Sequence, residues 1–491
     1  MMLRKLRNAL PWTAAGAAAD DKPKSSTRHP KDQASKLKPA LFLISFFAFW
    51  LLLLYFRFDP RRPDAAIRGP LAINLTLDDV AGTPPDAPAA CRSRAAVYVH
   101  SLPSKFNSDF LLRCRSLNIY TDMCPYVSNR GLGRPIPPVG GVGGGGGGSW
   151  FATHQFIAEM IFHARLENHP CRVRDPARAN LFYVPFYAGL YASSMFRELS
   201  LPARDALAVD LAEHVQSLPA WRRRGGRDHF LVLGRTAWDF LRLSNQGPDF
   251  GANSLLDLPA VRNMSVLTVE RQPWTGSNQH GIPYPSYFHP STSAEMQAWR
   301  QHVTDSDRPH LFSFIGGPRK GPGKAAIRED LIRQCGESAR CELVVCQPSS
   351  PAACHEPARV LGVMAASRFC LQAPGDSFTR RSAFDAVLAG CVPVFFSPHT
   401  AYTQYRWYLP AGDPGEYSVL IDVGEGATRL GVEIEEVLAA IPAEKAAAMR
   451  RRVIGMIPEI TYAHPNATEL GFRDAVDVAL DALLEHVENQ S

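Results

Sequence analysis

Apolar residues fall along this chain in three patterns. From 39 to 56 every position except Ser45 is apolar on all faces of a helix, about 26 Å long. Beyond it, short apolar runs recur at 95–99, 181–184, 230–233, 311–315, 369–371 and 392–396, and these predict buried strands. Others recur at helical spacing: Phe156, Ile157, Met160 and Ile161 in a helix opening at 150, and Phe378, Ala383, Phe384, Val387 and Leu388 in a helix starting at Ser377. Further helices are predicted over 433–438, 443–457 and 472–487. Between 369 and 396 the order is strand, loop, helix, strand, the unit of a parallel sheet, with Gly390 ending the helix.

The chemistry of that unit lies in its loop. Asp376 and Ser377 are good N-cap residues, so free backbone N–H groups should open where Gly375 allows close approach. A helix start of this kind attracts anions, and Arg380 and Arg381 add two positive charges. Asp385, four residues after Arg381, puts a carboxylate one turn behind them, suited to sugar hydroxyls. The same spacing also describes a capped helix with an Arg–Asp surface pair.

The run GDSFTRRSAFDAVLAGCVPVFF, 375–396, resembles the C-terminal signature of the exostosin-like glycosyltransferase family 47, most of all its plant xyloglucan galactosyltransferase branch, over residues 100–481. The resemblance implies an α/β fold of GT-B type, two Rossmann-like domains facing a cleft, with the nucleotide sugar held by the second. It divides the chain into a cytosolic tail (1–38), a transmembrane signal anchor (39–56), a luminal stem (57–91), an acceptor-side domain (92–280), a nucleotide-sugar domain (281–450) and C-terminal helices (451–491).

Charge changes the picture at the N-terminus. Nine Lys/Arg precede the apolar span and four follow it by residue 68, so the positive-inside rule places the N-terminus in the cytosol and the rest in the lumen. Thirteen of the 53 Lys/Arg but five of the 47 Asp/Glu lie in residues 1–68, which leaves 40 against 42 beyond; that balance speaks against a nucleic-acid surface. The sequons at Asn74, Asn263 and Asn466 and all ten cysteines lie beyond the span. Cys335, Cys341, Cys346 and Cys354 lack zinc-site spacing and read as disulfide partners, whereas Cys370 and Cys391, on core strands, read as free buried thiols. The glycine tract ending at Gly148 reads as an inserted surface loop.

Three residues of the first domain qualify as the base that takes a proton from an acceptor hydroxyl: His154, Glu159 and Asp239. For donor binding the resemblance adds Arg319, with Arg328 as second choice, to Gly375, Asp376, Ser377, Thr379, Arg380, Arg381 and Asp385. Asp305 and Asp307 match a DxD metal motif but precede the strand in a polar linker, and this fold neutralises diphosphate with arginines and helix termini. No metal and no cofactor is therefore expected; the UDP-sugar is a substrate. The resemblance implies an inverting, type II Golgi membrane enzyme that moves galactose from UDP-galactose to xylosyl side chains of xyloglucan, alone or within a glycosyltransferase complex. UDP-arabinose, UDP-xylose or UDP-galacturonic acid as donor is the alternative within the family. A catalytically silent complex partner is the alternative outside it, against which the intact Arg380, Arg381 and Asp385 argue.

Overall fold

The computed structural model describes residue 91 and residues 93–490, except 143–147, 243–251, 320–325, 347–353, 355, 411 and 425–426. The apolar span 39–56, Asn74 and residues 143–147 of the glycine tract lie outside these residues. Among the described residues, no helix is long and apolar enough to cross a membrane.

Two parallel sheets organise the compact unit formed by Asp86–Ser491. The first contains β1 (Val97–Val99), β2 (Arg172–Val173), β3 (Leu181–Val184), β4 (His229–Leu233), β5 (Ser265–Thr268) and β6 (Gln279–Gly281), in the order β2-β1-β3-β4-β5-β6. The second contains β7 (His310–Gly316), β8 (Cys341–Val345), β9 (Ser367–Gln372), β10 (Val392–Phe395) and β11 (Val419–Leu420), in the order β11-β10-β9-β7-β8. Parallel sheets are covered by helices on both faces, so their central strands are apolar at every position. Accordingly β3, β4, β5 and β10 are buried along their whole length.

The longer helices are α1 (Ala158–Glu167), α2 (Ala188–Ser194), α3 (Leu201–Ser217), α4 (Ser293–Asp305), α5 (Arg328–Glu337), α6 (Pro357–Ala365), α7 (Arg381–Leu388), α8 (Ala443–Ile460) and α9 (Ala475–Asn489). Three begin later than their apolar spacing predicts, α9 by three residues and two others by more. Helix α1 starts at Ala158, not 150, which leaves His154 in the preceding loop. Helix α7 starts at Arg381, and its N-cap is Arg380 in extended conformation, not Asp376 or Ser377. Gly390, at φ 62°, ends α7 as expected, in a left-handed conformation that a side chain disfavours.

The chain closes on itself through α9. Asp474 caps that helix by accepting from the N–H groups of Val476 and Asp477, and it also accepts from Arg165 Nε of α1 at 3.0 Å. Both side chains of that pair are almost wholly buried, so the last helix is fastened to the first sheet's layer by a charge pair that water does not reach.

All ten cysteines form disulfides: Cys91–Cys171, Cys114–Cys124, Cys335–Cys341, Cys346–Cys354 and Cys370–Cys391. The last corrects the expectation of free thiols. Strands β9 and β10 are neighbours in register, with Cys370 opposite Pro393, which brings Cys391 within bonding reach across the ladder.

Candidate active site at the C-terminal edges of the sheets

Residues 373–380 leave β9 at its C-terminal end and turn back before entering α7. The turn is held by Arg380, whose Nη1 donates to Ser377 Oγ (2.8 Å) and to the Thr379 carbonyl (2.9 Å). Its guanidinium lies directly on Gly375: a Cβ there would sit 1.7 Å from Nη2. The glycine thus makes room for Arg380 rather than for an outside molecule.

The opposite side of the turn reaches the first sheet. Glu270 follows β5 and is fully buried; it accepts from Ser377 Oγ (2.6 Å), the Phe378 N–H (3.1 Å) and Trp238 Nε1 (3.4 Å). Burial raises its pKa against the pull of Ser377, Arg380 and the Phe378 N–H. Tyr405 adds a second strut by donating to the Val269 carbonyl (2.7 Å), with Thr379 Oγ1 3.1 Å away. The C-terminal edges of the two sheets therefore meet at Glu270, Ser377 and Tyr405.

Beside this junction is a pocket of about 180 Å³ whose walls include Ile327, Pro374, Phe378, Phe396, Pro398 and His399. Phe378 and His399 meet edge to face at 5.1 Å, and the half-exposed Trp274 stands edge-on to both, at 5.6 and 5.5 Å. Flat, apolar walls of this kind suit a planar heterocycle.

The four predicted arginines separate into two kinds. Arg319 is exposed and Arg380 partly buried, and the two flank the exposed Asp376, at 3.4 and 4.0 Å. Arg328 is spent on the backbone: it donates to the carbonyls of Pro374 (2.8 Å), Ala373 (3.2 Å) and Gly317 (3.4 Å), fixing both loops. Burial, with Arg380 and Arg319 nearby, pushes it down to about 10. Arg381 points away from the turn. It stacks on the Tyr287 ring at 4.3 Å, donates to the Tyr287 hydroxyl and to the Thr153 carbonyl (3.1 Å), and lies 3.5 Å from Asp385.

Asp385 is the clearest correction on the donor side. It is buried, accepts from Ser286 Oγ at 2.6 Å and faces Arg381, so it offers nothing to sugar hydroxyls. Burial raises its pKa. Thr379 is likewise buried beneath the turn.

The base candidates also separate. Glu159 is fully buried, and its oxygens accept the N–H groups of Gly189 (2.7 Å), Leu190 (2.9 Å) and Gly234 (2.9 Å). It caps the start of α2 and anchors the loop after β4, with no path to a substrate. Burial carries it up to about 7, opposed by those N–H groups and Arg235. His154 lies in the loop before α1, with Nδ1 accepting the Phe156 N–H at 3.2 Å. In the neutral ring the proton then sits on Nε2, and the outward nitrogen is a donor. Burial, Arg381 and Arg235 push it down to about 3, so it stays neutral and has little appetite for a proton. His154→Asn, which keeps an acceptor near the Nδ1 position, should retain kcat within about tenfold, whereas loss of a true base costs about a hundredfold or more. Steady-state assays of the variant decide between them.

Asp239 remains. Its Oδ2 accepts from Arg235 Nε at 2.8 Å, while Oδ1 accepts no hydrogen bond among the described residues. Arg235 is itself clamped between the rings of Phe156 and Phe196, at 4.5 and 4.6 Å, so the carboxylate is held rigidly at the edge of the first sheet. Asp305 and Asp307 precede β7, at the N-terminal edge of the second sheet and away from the site. No group of three or more potential metal ligands occurs among the described residues. Of the sequons within them, Asn263 and Asn466 are both exposed, and Arg130 donates to Asn466 Oδ1 at 3.1 Å.

Glu270 and Arg235 were not anticipated. Each stands two residues beyond the end of a buried parallel strand, after Val269 or Gly234, the position from which open α/β sheets present polar groups to a ligand.

Two parallel α/β sheets thus meet at their C-terminal edges, with Arg319 and Arg380 beyond the second and the Asp239 carboxylate beyond the first. A family model described as the exostosin GT47 domain matches residues 91–432. The chain is 58% identical over 402 residues to the probable xyloglucan galactosyltransferase GT17 of Arabidopsis thaliana, covering 82% of this chain and 85% of that one. It is 43% identical to the Arabidopsis thaliana xyloglucan galactosyltransferase MUR3, covering 80% of this chain and 62% of that one. To the xyloglucan-specific galacturonosyltransferase 1 of the same plant it is 36% identical, over 82% and 58%. Among solved structures, Arabidopsis thaliana UGT89C1 with quercetin superposes over 80% of this chain and 91% of that one, at a TM-score of 0.29 and 11% identity, too loosely to bear on the fold. The chain belongs to the exostosin GT47 family and is a glycosyltransferase.

Proposed function

We propose that the protein transfers galactose from UDP-galactose to xylosyl side chains of xyloglucan, with inversion, in a cleft of GT-B type between the two sheets. The carrying observation is the pair Arg319 and Arg380, which flanks Asp376 beside the aromatic pocket at the edge of the second sheet. In this reading the uracil enters the pocket of Phe378 and His399 and the diphosphate lies across the two guanidiniums. Asp239 takes the proton of the acceptor hydroxyl as its oxygen attacks the anomeric carbon from the face opposite UDP. The bond from that carbon to the diphosphate oxygen breaks, and the charge gained by UDP is met by Arg319 and Arg380. Galactose and xyloglucan come from the names of the relatives. Because one relative is named a galacturonosyltransferase, UDP-galacturonic acid is the second reading. Purified protein given a panel of UDP-sugars and xyloglucan oligosaccharides should release UDP and galactosylate the oligosaccharide with UDP-galactose. Preference for another donor overturns the assignment.

The reading requires no metal, since guanidiniums neutralise the diphosphate. Transfer should keep its rate in EDTA; complete loss restored by Mn²⁺ would contradict this. Five disulfides and the charge asymmetry around 39–56 support a luminal, single-pass type II placement in the Golgi. In sealed microsomes the C-terminus should resist protease until detergent is added. Digestion without detergent would reverse the orientation.

A further inference from the structure

A second pocket, of about 380 Å³, opens on the seam between β6 and the segment 404–407, beneath α9. Arg271, His280, Gln404, Arg406, Trp407 and His486 line it. No carboxylate is among its lining residues. Arg271 donates to the carbonyls of Thr403 (3.1 Å) and Gly276 (3.4 Å), neither of which offsets its charge. Arg406 is exposed and forms no ion pair among the described residues. The His280 ring lies flat on Trp407 at 4.4 Å with His486 edge-on at 4.6 Å, and His280 Nε2 and Arg271 Nε are buried without a hydrogen-bond partner among the described residues. The wall is thus rich in donors, poor in acceptors and doubly positive. Two guanidiniums in one recess without a counter-ion repel each other, and burial together with Arg406 lowers the pKa of Arg271. Burial, with His486, Arg271 and Arg406, holds His280 down at about 3, so the histidines add hydrogen-bonding capacity and no charge. An oxyanion would supply the missing counter-charge, and the Trp407–His280 stack offers a flat apolar wall to the ring that carries it.

We propose that this pocket is a second ligand site, separate from the donor cleft, that binds an oxyanion, the carboxylate of a uronate or a phosphate group, on a small ring-bearing molecule. It stands independently of the donor and acceptor assigned above. Arg271 directly follows Glu270, whose carboxylate braces the donor turn at Ser377.

The test uses the full chain in detergent with saturating UDP in the donor cleft, titrated calorimetrically with inorganic phosphate or sodium glucuronate at constant ionic strength. At least one anion should bind and raise the thermal midpoint. Arg406→Ala, at an exposed position that folding does not need, should weaken that binding roughly tenfold or more. Its galactosyl transfer to a neutral acceptor should be unchanged. Binding of phosphate alone identifies a phosphate site, and binding of glucuronate a uronate site. If neither anion binds, or if Arg406→Ala binds as tightly as the unaltered protein, the proposal is overturned.

Discussion

Arg380→Ala should lower kcat/KM for sugar transfer by about a hundredfold to a thousandfold while leaving the protein folded. Arg380 is one of two guanidiniums beside Asp376 beyond the ends of β7 and β9, and its removal takes a charge-assisted contact from a group that becomes more negative as the glycosidic bond breaks. Losing one such donor costs about 2.7 to 4 kcal/mol of transition-state stabilisation. Arg380 also holds the 373–380 turn through Ser377 and the Thr379 carbonyl, so its loss costs some stability, limited because Asp376 is 80% exposed and Ser377 keeps its bond to Glu270. Arg380→Lys restores the charge without the fork and should recover part of the rate. Chemical denaturation and steady-state kinetics on the same preparations separate the two effects. A folded Arg380→Ala enzyme with near-normal turnover would place the diphosphate elsewhere.

The neighbouring substitution should behave in the opposite way. Arg381→Ala should destabilise the fold by about 3 to 5 kcal/mol, because Asp385, 2% exposed, would keep only Ser286 as a partner in a buried site. The guanidinium also ties α7 to the Thr153 carbonyl and to Tyr287, so its loss loosens the second sheet from the loop before α1. Replacing both members of the pair, Arg381→Met with Asp385→Leu, removes the uncompensated charge and should return most of the stability. Equal midpoints in urea for Arg381→Ala and the unaltered chain would mean that the pair is not buried in solution.

This contrast shows what was legible before folding. The spacing of Arg381 and Asp385 correctly paired them, at 3.5 Å on one helix face. That spacing says nothing of which face is buried, and Ser286, 99 positions upstream, decides it. Likewise Asp376 and Ser377 carry the chemistry of a helix cap, yet the hydroxyl of Ser377 is drawn off to Glu270 and the helix starts four residues later. The continuous apolar runs of β3, β4 and β10 identify parallel strands directly, because both faces of such a sheet are covered. Strand order leaves no such trace, and the Cys370–Cys391 bond depends on it. Glu159 resembled a base for a similar reason: its three backbone donors come from two other elements.

The most direct test of the donor site is a crystal structure of the protein with UDP bound. The uracil should lie in the pocket against Phe378 and His399, with the diphosphate within hydrogen-bonding distance of Arg319 and Arg380 and the anomeric position open toward Asp239. A nucleotide found against Arg271 and Arg406, or one whose phosphates touch neither Arg319 nor Arg380, would contradict the account.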